Sequence, residues 1–157
     1  MSKHVLVIST SLRKGNSERL AQEFAKGAAA AGHQVEELTL RGKRLTFCTG
    51  CMACLEKGHC VIPDDAVEIA AKMEQADVIA FATPIYYYEM SGQMKTLLDR
   101  ANSLYGSDYK FTDIYMLTTA AEDANIPVIY AAISDPASAS LTGLPNVTGT
   151  SDALNTP

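Results

Sequence analysis

The chain has no long hydrophobic run and no excess of basic residues, and its first residues do not resemble an export signal. None of its apolar stretches approaches the roughly eighteen uninterrupted residues that a membrane-spanning helix requires. Residues 1–4 lead directly into an apolar segment without a small-residue cleavage site, which argues against a signal peptide. The formal net charge of −5 and the pI near 5.1 are unfavourable for nucleic-acid binding. We therefore expect a cytoplasmic protein that binds neither membranes nor nucleic acids.

Basic residues are absent from the last part of the chain. Residues 111–157 contain five acids and no base, and all thirteen Lys and Arg residues precede them. Residues 134–157 are almost entirely small or polar and show no hydrophobic period, which is typical of a linker or irregular tail. We predict one domain over residues 1–133 and an irregular tail over residues 134–157. This C-terminal end is atypical for a domain or incomplete. Three explanations are open: the chain is truncated, the protein genuinely ends in this way, or the sequence of this segment is uncertain.

Apolar runs alternate with helical patterns along the chain. The predicted strands cover residues 5–8, 34–40, 78–82, 114–117 and 128–133. The predicted helices cover residues 18–31, which Gly32 ends, residues 64–75, which Asp64 and Asp65 cap, and residues 91–101. Strands that are apolar on both faces belong inside a parallel sheet, and alternation with helices implies crossover connections. The sequence therefore predicts an α/β fold built on a doubly wound parallel sheet, in a single domain.

Ligands bind such sheets beyond the carboxyl ends of the strands, which singles out the loops at residues 9–17, 83–90 and 118–123. The first loop lacks both the lysine pattern of a nucleoside-triphosphate P-loop and the glycine pattern of a dinucleotide fold. It offers several hydroxyls, Arg13, Asn16 and a glycine before a helix, and these donors suit a terminal phosphate monoester. The structural alternative is a helix cap with a solvated loop, because the same residue types favour both.

Three consecutive tyrosines follow Pro84 in the second loop. Tyrosines at the open edge of a sheet supply flat apolar walls for a planar ring, with hydroxyls at the rim. Packing under the next helix or at a subunit contact is the alternative. The third loop is small and polar, which leaves room beside a ring. Together the three loops predict a mononucleotide that carries a flat heterocycle.

Two of these segments resemble the NADPH-dependent FMN reductase branch of the flavodoxin-like superfamily. Residues 9–17 read STSLRKGNS, similar to its phosphate loop, and residues 84–100 contain its Pro-x-Tyr, Ser-Gly-x-x-Lys and Asp-Arg elements in order. The resemblance covers about residues 4–124 and implies a flavodoxin-like fold with non-covalently bound FMN. Since flavin chemistry belongs to the cofactor, no catalytic residue is nominated.

The resemblance also implies which residues would hold FMN. The phosphate ligands would be Ser9, Ser11, Arg13, Asn16 and Ser17. The residues bordering the isoalloxazine ring would be Pro84, Ile85, Tyr86 and Tyr87. The residues on its other side would be Thr118, Thr119 and Ala120.

All four cysteines fall within thirteen residues, at Cys48, Cys51, Cys54 and Cys60. A disulfide framework is disfavoured, because there is no secretion signal and the core needs no covalent staple. Such spacing can wrap a [4Fe–4S] cluster, and zinc also accepts four thiolates. The motif resembles that of the iron–sulfur flavoproteins, in which a cluster lies near FMN. It equally resembles cysteine loops of the wider branch that hold no cluster. A loop of reduced cysteines at a dimer contact is therefore the alternative interpretation.

Three functions follow from these expectations. The first is an FMN-dependent oxidoreductase that accepts electrons from NAD(P)H and passes them to a quinone, a flavin or a similar small-molecule acceptor. The second is an electron carrier that passes electrons through FMN and a [4Fe–4S] cluster between redox proteins. The third is a ligand-binding module without turnover. The resemblance further implies a homodimer or a homotetramer.

Overall fold

The computed structural model describes residues 1–121 and assembles four parallel strands into one sheet. The strands are β1 (His4–Ser9), β2 (Gln34–Thr39), β3 (Val78–Tyr86), β4 (Glu89–Met90) and β5 (Asp113–Thr119). The parallel strands lie in the order β2-β1-β3-β5, and β4 folds back antiparallel onto the end of β3. The predicted parallel sheet is confirmed, and within the described chain β2 pairs with β1 alone, at an edge.

Helices lie on both faces of this sheet. The helices are α1 (Asn16–Ala30), α2 (Ala53–Lys57), α3 (Asp65–Gln75) and α4 (Gly92–Arg100), followed by a 3-10 helix (Ala101–Gly106). Helix α1 ends where Gly32 adopts a left-handed conformation with φ 86°, as the sequence predicts. Asp64 caps α3 by accepting a hydrogen bond from the Ala66 amide. In the described part of the chain, no helix is long and apolar enough to cross a membrane.

The period of two along the strands divides the core into two layers. Val5 and Val7 face α1, where small residues on both elements let the helix approach closely. Leu6, Ile8 and Phe81 point to the opposite face, under α3 and α4. Burial on both faces explains why the central strands are continuously apolar, and it establishes the doubly wound arrangement.

The segment after Ala82 differs from the loop predicted over residues 83–90. Strand β3 continues to Tyr86, pairs there with β4, and forms a hairpin. The pairing of β1 with β3 stops at Ser9 and Ala82, so Pro84 lies where β3 keeps only one parallel neighbour. Proline is tolerated at such a position because its missing N–H leaves no partner unpaired on the open side.

Helix α2, within the cysteine loop, was also not predicted from the sequence. Its five residues are too few for a helical period, and it is bounded by left-handed backbone at Met52 and Gly58. The predicted strand over residues 128–133, the tail over residues 134–157 and the domain boundary between them lie outside the described residues.

Candidate functional site

Strand β1 ends in a buried hydroxyl, and the loop that follows it leads to an open helix end. Ser9 is 5% exposed, and its Oγ has no hydrogen-bond partner within residues 1–121. Helix α1 begins at Asn16, and in the same range no side chain caps it at Gly15. An unpaired buried hydroxyl costs about 1–3 kcal/mol. First-turn N–H groups together with an unsatisfied hydroxyl form a site suited to an anion.

The other predicted phosphate ligands occupy different environments in this loop. The Ser11 hydroxyl donates to the Arg13 carbonyl oxygen at 2.9 Å, so it tightens the turn from within. Arg13 and Asn16 are exposed. Ser17 is buried at the start of α1. The predicted phosphate ligands therefore combine buried hydroxyls with an exposed cation and an exposed amide.

Glu18 would bring negative charge to the same end of α1, but a cation neutralises it. Arg41, just after β2, donates from both Nη atoms to the two carboxylate oxygens of Glu18, at 2.7 and 3.0 Å. This hydrogen bonding from Arg41 lowers the pKa of Glu18. The loop thus keeps a net electrostatic preference for an anion.

A network of fully buried hydroxyls lies beneath the loop. Thr10 Oγ1 lies 3.1 Å from Ser91 Oγ, and Thr83 Oγ1 donates to Ser91 Oγ at 3.2 Å. Ser91 also caps α4, since its hydroxyl accepts from the Met94 amide. This network joins the ends of β1 and β3 to the start of α4. This network was not predicted from the sequence, although hydroxyl residues at the ends of two adjacent parallel strands were a usable signal.

The third loop meets the first through a direct contact. Thr119 Oγ1 lies 2.6 Å from Ser17 Oγ, and Thr119 pairs with Pro84 in the sheet register. Thr118 is half-buried and Ala120 is exposed. The structure therefore brings members of all three predicted groups together at the carboxyl edge of the sheet.

The tyrosines form the tip of the β3–β4 hairpin. Tyr87 and Tyr88 both have positive φ, at 49° and 67°, where Asn and Gly are the usual residues. Tyr86 is 49% exposed and Tyr87 is 95% exposed, whereas Ile85 is half-buried. Bulky residues in this backbone region cost on the order of 1–3 kcal/mol each, and such strain concentrates at functional sites.

The cysteine loop gathers all four thiols around one cavity. That cavity is lined by Cys48, Cys51, Cys54 and Cys60, together with Arg100 and Asn102 among other residues. All four thiols are free, and the first two along the chain, Cys48 and Cys51, are exposed. Hydrogen bonds from the Ala53 backbone and the Thr49 side chain lower the pKa of Cys51. A lowered pKa favours the thiolate, which is the form that binds metal.

The spread of these thiols bears on which metal centre they suit. Within residues 1–121, no three His, Cys, Asp or Glu side chains are grouped closely enough to hold a metal ion. Zinc needs its four ligands around one point, whereas each cysteine of a [4Fe–4S] cluster binds a different iron. The four cysteines therefore line one cavity without forming a single-ion site within these residues, and it is their thiolate chemistry and their number that suit a cluster.

A buried ion pair closes the base of this loop. The guanidinium of Arg100 makes a bidentate contact with the Asp64 carboxylate, at 2.7 and 2.9 Å, and neither side chain is exposed. Burial alone raises the pKa of Asp64. Hydrogen bonds from Arg100, Thr46 and Ala66 outweigh burial and lower this pKa from 3.8 to about 2.

The parallel order β2-β1-β3-β5, with helices on both faces and polar loops at the carboxyl edge, defines a flavodoxin-like α/β protein. A sequence model described as NADPH-dependent FMN reductase matches residues 4–124. The chain belongs to that family, and the match confirms the resemblance that the loop motifs indicate.

Individual proteins agree with this assignment. An iron-sulfur flavoprotein of Archaeoglobus fulgidus is 35% identical over 98 residues, which cover 62% of this chain and 44% of the relative. An iron-sulfur flavoprotein of Methanocaldococcus jannaschii is 41% identical over 101 residues, covering 64% of this chain and 52% of the relative. The chain thus spans about half the length of these relatives.

A solved structure supports the fold alone. The NAD(P)H:quinone oxidoreductase from Methanothermobacter marburgensis superposes with a TM-score of 0.65 at 20% identity. The superposition covers 79% of this chain and 70% of that one.

Asp64→Asn should lower the free energy of unfolding at neutral pH and remove the part of its pH dependence that comes from this carboxylate. Because the folded pKa of Asp64 lies below its unfolded value, ionised Asp64 stabilises the fold above pH 4, by about 2 kcal/mol, and this is lost as the pH falls towards 2. The neutral variant also leaves Arg100 without its counter-charge, which costs about 3–5 kcal/mol. Urea unfolding at pH 7 and pH 2.5 measures both effects.

The difference in unfolding free energy between wild type and Asp64→Asn should shrink at the lower pH. The control is Glu23→Gln, an exposed carboxylate on α1, for which we expect a change within about 0.5 kcal/mol at both pH values. An Asp64→Asn penalty that is the same at pH 7 and pH 2.5 would show that the ion pair does not hold the carboxylate ionised.

Proposed function

We propose that this chain is the FMN-binding part of an oxidoreductase that accepts electrons from NAD(P)H and passes them to a quinone, a flavin or a similar small-molecule acceptor. The observation that carries the proposal is the buried, unsatisfied Ser9 hydroxyl at the end of β1, in a segment that leads to the uncapped start of α1. A phosphate monoester supplies what this site lacks, namely an acceptor for the hydroxyl and for the first-turn N–H groups. Membership of the FMN reductase family supports FMN as the carrier of that phosphate.

The proposed FMN site uses the three loops at the carboxyl edge. For the phosphate we assign Ser9, Ser11, Arg13, Asn16 and Ser17. For the isoalloxazine edge we assign Pro84, Ile85, Tyr86 and Tyr87. For the other side of the ring we assign Thr118, Thr119 and Ala120. Bound FMN would supply the redox chemistry by accepting a hydride from the nicotinamide and passing electrons onward.

The protein's own contribution is binding and exclusion of water. Ser9 and Ser17 provide donors at the buried base of the phosphate loop, and Arg13 adds positive charge at its rim. The exposed rings of Tyr86 and Tyr87 offer apolar surface that would shield one side of a planar ligand. No acid–base group of the chain is assigned to the reaction, because flavin reactions do not require one.

The proposal predicts a yellow protein with one FMN per chain. Adding NADPH or NADH without oxygen should bleach the flavin absorbance, and a quinone should then restore it. Absorbance titration in an anaerobic cuvette measures both steps. Failure to bind FMN would refute the proposed cofactor, and FMN that neither nucleotide reduces would refute the reductase activity. A ligand-binding module without turnover predicts neither flavin colour nor a cluster.

Ser9→Ala should weaken FMN binding roughly 10- to 100-fold, because one hydrogen bond to a charged phosphate contributes about 1.5–3 kcal/mol. Without FMN the variant should be as stable as wild type or more so, since it removes an unpaired buried hydroxyl. Fluorescence titration of the flavin-free protein measures the affinity.

Two comparisons sharpen the Ser9 experiment. Riboflavin, which lacks the phosphate, should bind Ser9→Ala and wild type equally. Ser107→Ala removes a hydroxyl that precedes β5 and bonds the Leu104 carbonyl, and it should leave FMN affinity unchanged. Equal loss of riboflavin and FMN affinity in Ser9→Ala would show that the serine does not contact the phosphate.

The cavity shared by the four cysteines favours a second candidate function, that of an electron carrier with a [4Fe–4S] cluster in addition to FMN. The iron-sulfur flavoproteins among the relatives support the same candidate. Redox proteins would then be the donor or the acceptor. The proposed ligands are Cys48, Cys51, Cys54 and Cys60.

Cys51→Ser should abolish cluster binding and leave FMN bound, because the cysteine loop and the phosphate loop are separate segments. Iron, sulfide and flavin are measured per chain after anaerobic purification. The neighbouring exposed side chain provides the control, since Met52→Leu should keep both cofactors. About four irons per chain in wild type support the cluster, and iron-free wild type with full FMN content would exclude it.

We also propose a homodimer or homotetramer and a cytoplasmic location. Phe47, Met52 and Leu55 on the cysteine loop are large hydrophobic residues that are more than half exposed, as is typical of an interaction surface. Four free thiols in one loop suit a reducing compartment. Light scattering of the purified protein tests the oligomeric state.

A further inference from the structure

Arg100 is the largest side chain that is almost wholly buried in the described chain. It lies at the end of α4 and reaches the cysteine loop, which comes from a distant part of the sequence. A buried guanidinium is costly unless charge and hydrogen bonds compensate it. The contacts of this guanidinium therefore identify the segments that it holds together.

The guanidinium bonds to both ends of the cysteine loop at once. Nη1 donates to the Thr46 carbonyl oxygen at 2.7 Å, before the first cysteine, and Nη2 donates to the Ile62 carbonyl oxygen at 3.0 Å, after the last. Both Nη atoms also bond Asp64, whose carboxylate in turn accepts from the Thr46 amide at 2.7 Å. These bonds close the loop at its base.

The remaining donor of the guanidinium points at a thiol. Nε of Arg100 lies 3.2 Å from Sγ of Cys60, within the range of an N–H···S hydrogen bond. Because Asp64 occupies both Nη atoms, the fork geometry fixes the direction of Nε. This contact restrains the Cys60 side chain, and Cys60 lines the same cavity as the other three cysteines.

We propose that Arg100 is a positioning residue that keeps the cysteine loop closed and, by hydrogen bonding to Sγ of Cys60, raises the reduction potential of the cluster bound there. The inference rests on the proposed [4Fe–4S] site. Reduction adds one electron to the cluster, and its extra negative charge lies partly on the ligand sulfurs. A hydrogen bond from a cationic donor stabilises the reduced form more than the oxidised form, and hydrogen bonds to sulfur are a known control on cluster potentials.

Two variants separate the two roles of Arg100. Arg100→Lys keeps a positive charge but loses the planar fork and the Nε donor, whereas Asp64→Asn removes the counter-charge and keeps the Nε donor on Arg100. The matched control is Arg44→Lys, because the Arg44 side chain donates to the Pro63 carbonyl oxygen rather than to a thiol. Redox titration followed by EPR gives the cluster potential, and the FMN potential in the same samples serves as an internal reference.

We expect the cluster potential to become more negative in Arg100→Lys, to shift less in Asp64→Asn and to stay unchanged in Arg44→Lys. The FMN potential should stay the same in all three. A cluster potential in Arg100→Lys that equals the wild-type value would overturn the proposed hydrogen bond. Equal shifts in Arg100→Lys and Asp64→Asn would overturn it as well, since the effect would then come from opening of the loop.

Wild-type protein provides a measurement that does not depend on any variant folding. Protein labelled with ¹⁵N at arginine Nε should show a ¹⁵N hyperfine coupling to the reduced cluster, and unlabelled wild type should not. Arg100→Lys, where it folds, should lose this coupling. A labelled wild type with a reduced cluster and no coupling would contradict the contact between Arg100 and the Cys60 sulfur.

Loop closure is tested without any cluster. In iron-free protein, hydrogen exchange of peptides covering residues 46–64 should be faster in both Arg100→Lys and Asp64→Asn than in wild type and Arg44→Lys. Unchanged exchange in both variants would refute closure by this ion pair. If wild type binds no iron under anaerobic conditions, the electron-carrier function and the proposed effect on potential both fail, and the exchange result still decides on closure.

Discussion

The parallel pairing of β1, β3 and β5 is the constraint on which the rest of the structure depends. Because all three strands run in one direction, their polar ends meet at one edge of the sheet. Ser9 comes opposite Ala82, and Pro84 comes opposite Thr119, although these residues are far apart in the chain. Apolar residues on both faces of the central strands hold this register, and the three loops acquire a common location from it.

The polar groups at the carboxyl edge of the sheet differ in whether their hydrogen bonds are satisfied. The buried hydroxyls of Thr10, Thr83 and Ser91 bond one another and form a rigid base. Ser9, next to them, is left without a partner in the described chain, and the hairpin tip at Tyr87 is held in a strained backbone. Hydroxyls whose hydrogen bonds are satisfied therefore support a hydroxyl that still lacks a partner. An unsatisfied polar group at a preorganised edge of the sheet is what a ligand site requires.

Local patterns predicted much of the fold and of the candidate site. Continuous apolar runs identify β1 and β3, and the Asp64 cap and the Gly32 stop delimit helices, because each signal lies within a few residues of its effect. The extension of β3 through Pro84 was missed, since it depends on which strands end beside it. The Arg100 contacts were also missed, because an arginine at a helix end more often faces solvent.

The amino-acid sequence by itself determined the alternation of strands and helices, the donor-rich first loop and the family to which the chain belongs. These properties follow from residue type and short spacing, which act locally. Only the tertiary structure decided that Ser9 is left unsatisfied, that four thiols line one cavity and that Arg100 reaches Cys60. Burial and hydrogen-bond satisfaction depend on partners that are distant in the chain, so they exist only once the elements have packed.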